Sequence, residues 1–126
     1  MNDCILIQSI PKNKREFLKI VKSKEIKTIL CLSFESRSFL EKYNLKYDDT
    51  LPYFNNKDHK ICLRTTNIIR RRIRDSISTL DCDLKNYDSF SIWLSNYLIF
   101  KHINHKLFIY RVLKNFFEKN NFKNIY

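Results

Sequence analysis

At 126 residues, with 44% hydrophobic and 14% aromatic side chains, the chain is long enough to hide roughly two thirds of its extended surface in one core. It is too short for two such cores. Wholesale disorder is therefore excluded, and a single domain over 1–126 is expected. The formal net charge of +11 points to an acidic partner, while the complete absence of Gly removes any Gly-rich loop able to cradle a nucleotide. Ala is missing too, and Ile, Lys, Asn, Phe and Tyr are abundant. That bias is what an AT-rich gene produces, as in a virus, a mobile element, an AT-rich parasite or an organelle. Codon drift can account for part of the Lys excess, so local clusters of Arg are more informative than the total charge.

Cys4 to Ile10 is a nearly continuous apolar run of strand length, ended by Pro11. A continuous run predicts a strand covered on both faces. KNKREFLKIVKSK comes next, with Phe17, Ile20 and Val21 at helical spacing among charges. A second apolar run, Ile26 to Phe34, leads into ESRSFLEKYNL, which repeats Phe39, Leu40 and Tyr43 on one helical face. Strand, helix, strand, helix favours parallel pairing. Residues 45–58 hold the second Pro and many turn residues, and read as a surface loop. Ile61 to Leu63 reads as a third short strand, giving βαβαβα. Without Gly, turns needing positive φ fall to Asn or Asp, with Asn55, Asn56, Asn86, Asn120 and Asn121 as the expected places.

Residues 65–80, TTNIIRRRIRDSISTL, concentrate the arginines. Thr65 or Thr66 can cap a helix whose apolar residues Ile69, Ile73, Ile77 and Leu80 fall within an arc of about 80°. Arg71 then points away from that stripe, with Arg70, Arg72 and Arg74 on its flanks. Asp75 has helical spacing to Arg71 and Arg72, but one carboxylate cannot neutralise four guanidinium groups. Lys60 and Arg64, just before the helix, add charge near backbone NH groups that favour anions. Arg supplies a planar fork suited to bidentate phosphate contacts, which Lys does not.

DCDLKNYD at 81–88 punctuates the chain, and Asp88 or Ser89 can cap a last long helix. From Phe90 to Phe117 two apolar stripes run side by side. One holds Ile99, Ile103, Leu107, Tyr110, Leu113 and Phe117; the other holds Trp93, Tyr97, Phe108, Val112 and Phe116. Such a helix is buried on more than one side or engages a protein partner, a second copy included. KHINHK at 101–106 is a point for a bend or a hairpin, Arg111 and Lys114 can extend a cationic face, and EKNNFKNIY is expected to fray.

Enzyme-like groupings are unlinked. His59 with Cys62 and His102 with His105 match no standard zinc spacing, and Asp81 with Asp83 is a chance-level acidic pair. No cofactor, metal or catalytic residue is expected. Cys4, Cys31, Cys62 and Cys82 form no CxxC pair, no secretory segment is recognisable, and the apolar stretch 90–100 is too short to span a bilayer. Reduced thiols in an intracellular protein, cytoplasmic or nuclear, are therefore expected, with no membrane partner. The sequence thus predicts a small α/β or α+β domain: two or three short parallel strands in the N-terminal half and a helical C-terminal half, with all-α as the alternative. The functional expectation is a non-enzymatic nucleic-acid-binding accessory protein, DNA or RNA, whose phosphate contacts are Lys60, Arg64, Arg70, Arg71, Arg72 and Arg74. The alternative is a protein-interaction module using the aromatic surface of 90–117.

Overall fold

A computed structural model describes residues 2–24, 26–79 and 89–126, with the side chains at 74, 76–79 and 89–96 outside that description. Two compact units are present, Met1–Tyr53 with Val112–Tyr126, and Phe54–Arg111.

In the first unit, strand β1 (Asn2–Ile7) pairs in parallel with β2 (Thr28–Cys31), Ile5 opposite Ile29 and Ile7 opposite Cys31. Side chains alternate between the faces of a strand. Ile5, Ile7, Ile29 and Cys31 accordingly form one core with Val21, Phe39 and Leu40, while Cys4 and Leu30 on the opposite face are also fully buried. Both faces are covered, as the continuous apolar runs require. Helix α1 (Lys14–Ser23) is capped by Asn13, whose side-chain oxygen accepts from the Glu16 NH at 3.2 Å while its amide donates to the Glu16 carboxylate at 3.0 Å. Helix α2 (Phe34–Lys42) starts with a capping box between Ser33 and Ser36.

The end of α2 answers the question of how a chain without Gly makes a left-handed turn. Asn44 has φ 52°, its NH donating to the Glu41 carbonyl and the Leu45 NH reaching back to Leu40. This is a Schellman cap, with Leu45 closing onto the core. Among the described residues Asn44 is the site of positive φ; Asn55, Asn56, Asn120 and Asn121 are not, and Asn86 lies outside the description.

The third strand is not 61–63, which is helical, but β3 (Phe122–Ile125), parallel to β1 on the edge away from β2. The segment expected to fray is thus part of the sheet. It is held by the Leu6 NH to the Tyr126 carbonyl at 2.8 Å and the Tyr126 NH to the Cys4 carbonyl at 2.9 Å. Phe122 stacks on the buried ring of Phe116 at 5.2 Å, and Tyr53 meets Phe116 edge-on at 5.1 Å. The parallel sheet excludes the all-α alternative and gives the expected α/β or α+β class.

The second unit is a helical hairpin. Helix α3 runs Asn56–Thr79, so residues 56–58 are not loop and Thr65 and Thr66 are not caps. Asn55 caps instead: its side chain accepts from the NH groups of Lys57 and Asp58, and the Asp58 carboxylate accepts from the Asn55 NH at 3.1 Å. Helix α4 (Ser89–Lys119) is continuous through 101–106 and passes its residues from Val112 onward to the first unit. Lys101, His102, His105 and Lys106 are exposed, so the polar interruption is the solvent face of one helix rather than a break. Asp58 bonds to Arg111, Thr66 to Asn104, and Arg70 lies over Phe100, so the contacts ascend α3 as they descend α4. The helices are antiparallel.

Candidate nucleic-acid interface

Because α3 begins nine residues before Thr65, Lys60 and Arg64 do not stand ahead of a helix start; they lie on the same helix as the arginine cluster. At about 100° per residue, Lys60, Arg64 and Arg71 fall within an arc of about 40°, over a length of about 16 Å. The inward face of α3 is diametrically opposite: Asp58, Cys62 and Thr66 are buried, and Ile69 and Ile73 half-buried. Packing of that face therefore fixes the cationic side chains outward. Lys60, Arg64, Arg70, Arg71 and Arg72 are all exposed; the Arg74 and Ile77 side chains lie outside the description, as does Leu80.

Among the described residues, none of these five is joined to a carboxylate; the ion pairs there are Arg37–Asp49, Arg111–Asp58 and Lys114–Glu118. The pairing expected from Asp75 to Arg71 or Arg72 is not among them. Arg70 is placed differently from its neighbours, with its guanidinium carbon 5.7 Å from the centre of the Phe100 ring.

Arg111 does not extend the cationic face. Its side chain is largely covered and its Nε donates to the nearly buried Asp58 carboxylate at 2.8 Å, with Nη2 on the same oxygen. Lys114 pairs with Glu118 one turn on. Sequence reasoning missed the Asp58–Arg111 pair, and Asn55 followed three residues later by Asp58 was the available signal for a helix start there. It also missed Thr66, a fully buried hydroxyl that donates to the Cys62 carbonyl at 2.7 Å and contacts the Asn104 side-chain oxygen at 3.3 Å.

His59, Cys62 and His105 line one groove in this unit, without His102. Among the described residues no group of three His, Cys, Asp or Glu side chains could hold a metal ion. Burial pushes the Cys62 thiol pKa up, with nearby Arg111 opposing and Asp58 adding to the rise, so at neutral pH it is a protonated core group. Asp81, Asp83 and Cys82 lie outside the described residues. Cys4, Cys31 and Cys62 are free thiols. Among the described residues no helix is long and apolar enough to cross a membrane.

The described residues thus define a small protein of α/β or α+β class with two units, one built on a three-stranded parallel sheet and the other a cationic helical hairpin. Compared with protein-family models, curated proteins and solved structures, the chain matches none of them.

Proposed function

We propose that this is a non-enzymatic nucleic-acid-binding protein, an accessory factor of a virus or mobile element, that contacts phosphates through the outer face of α3. One observation carries the reading: Lys60, Arg64 and Arg71 form a straight exposed row opposite the buried face, with no carboxylate joined to them among the described residues. Arg70 and Arg72 flank the row. Phosphate contacts give affinity with little sequence preference, and their strength falls with salt as counterions are released.

Titration of a labelled oligonucleotide at several salt concentrations tests this. With about five phosphates engaged, log affinity against log salt should have a slope of about −3 to −5. The double substitution Arg64→Glu and Arg71→Glu should flatten that slope by about 2 and weaken binding by roughly 100-fold, with the helical circular dichroism unchanged. Equal affinity for the variant and the original chain would overturn the assignment.

A second reading rests on α4. Tyr97, Leu98 and Tyr110 are exposed at 47%, 54% and 60%, an apolar surplus suited to a protein partner or a second copy. Solution mass by light scattering addresses it: a concentration-dependent dimer abolished by Leu98→Lys with Tyr110→Lys supports it, and a monomer at all concentrations argues against self-association.

A further inference from the structure

The α3–α4 hairpin leaves an open groove of about 360 Å³, a size that takes a small ring system. Its lining is aromatic. Phe54, Phe100 and Phe108 are half-buried in its walls, and Tyr97 is exposed at 47%. Phe54 and Phe108 meet edge-on, with centroids 4.7 Å apart and planes at 69°, which leaves ring faces for a further planar group. The His105 ring lies nearly parallel to Phe108, at 25° and 6.4 Å.

The groove carries a cation and no carboxylate among the described residues. Lys101, His59 and His105 line it, no Asp or Glu does so among the described residues, and the Arg70 guanidinium lies over the Phe100 ring. Asn104 also lines it, its side-chain oxygen in contact with the Thr66 hydroxyl at 3.3 Å. An apolar peptide would gain nothing from the cations, and a phosphate alone would gain nothing from four aromatic rings. A planar ring attached to an anion uses both.

Resting on the phosphate-binding reading of α3, we infer that this groove seats an unpaired nucleobase, so that the ligand of the protein is single-stranded nucleic acid. The base stacks on Phe100 and Phe108, and Lys101 and Arg70 take the phosphates on either side of it. Bases in a duplex are already stacked on each other and cannot enter; a single strand presents them freely. Stacking on aromatic side chains tolerates any base, so the groove supplies a preference for strandedness rather than for sequence.

The experiment compares a fluorescein-labelled oligo-uridine and oligo-thymidine with a duplex of equal length, using the full chain. The expected result is single-strand binding stronger than duplex binding by about 10-fold. Phe100→Leu keeps apolar volume but removes a stacking face; it should lower single-strand affinity by about 5-fold or more and leave duplex affinity unchanged. Arg71→Glu, in contrast, should weaken both ligands. Independently of any variant, irradiation of an oligonucleotide carrying 5-iodouridine should crosslink to peptides containing Tyr97, Phe100 or Phe108.

The two failures are distinguishable. If Arg71→Glu weakens both ligands while single strand and duplex bind alike, or the crosslinks map to peptides away from the groove, the base site is overturned and the phosphate face stands. If Arg71→Glu changes neither affinity, the phosphate face itself is wrong, whatever the crosslinks show.

Discussion

The two units place their charge differently. In the sheet unit some charged and polar side chains are committed to local structure, while Lys14, Arg15, Lys19 and Lys22 on α1 stand exposed with no ion pair among the described residues. Arg37 donates to Asp49 at 2.6 Å, Tyr47 to Glu41 at 2.7 Å, Asn13 to Glu16, and Lys24 lies 4.1 Å from the centre of the Tyr126 ring while its amine meets the Tyr126 hydroxyl. In the hairpin unit, α3 carries Lys57, Lys60 and five arginines against only Asp58 and Asp75. Asp58 is already committed to Arg111. In the hairpin unit the pair that supports the fold, Asp58 with Arg111, is thus separate from the row of cations that stands in water. That separation can be tested by substitution.

The largest effect is expected where the hairpin buries a charge pair. Asp58→Ala leaves the covered Arg111 guanidinium without its carboxylate and should cost about 3 to 5 kcal/mol. Denaturant unfolding followed by circular dichroism measures it, and a loss below about 1 kcal/mol would mean that water replaces the carboxylate without penalty.

Next comes a pH effect in the sheet unit. Burial pushes the Cys4 thiol from 9.0 up to about 11, opposed by a backbone hydrogen bond involving Leu30. The folded form holds its proton more tightly than the unfolded form, so this contribution is full below pH 9 and is lost as pH rises through 11. The loss is on the order of 2 to 3 kcal/mol for the fully buried group. Stability profiles of the original chain and Cys4→Ala should therefore converge by that amount over this interval; parallel profiles would refute it.

Asn44→Ala should cost about 1 kcal/mol, since Ala meets the steric penalty of positive φ that Asn relieves. Asn44→Gly should not lower stability comparably, which separates backbone conformation from loss of the side chain. The smallest effect completes the contrast: Arg71→Ala should change stability by no more than about 0.5 kcal/mol, because the side chain is exposed. A larger loss would show that the outer face of α3 supports the fold after all.

The elements legible in the sequence were those whose burial is written in apolar side chains: β1, α1, β2 and α2. The first half of α3 was not, because its inward row passes through Asp58, Cys62 and Thr66, two of them polar and satisfied by Arg111 and by the Cys62 carbonyl. Hydrophobic periodicity cannot register a buried carboxylate, and Ile61 beside Cys62 and Leu63 imitates a strand although Ile61 is 37% exposed. β3 was illegible for another reason. Lys123, Asn124 and Ile125 are exposed, so the strand is defined by pairing with β1 rather than by its own composition. The arginine row was visible as residues, but its straightness depended on where α3 starts. The aromatic groove needed two helices to meet, and no single segment records that.

The pairing of Asn2 with Phe122 has a consequence for biosynthesis. The strand that covers one edge of β1 is made about 120 residues after it, some 6 to 24 s later at 5 to 20 residues per second. Through that interval the nascent chain presents CILI with unmet backbone NH and carbonyl groups along one side, a template for stray strand pairing. Shielding by a holdase chaperone during translation should therefore raise the yield of native protein more than the same chaperone added after release.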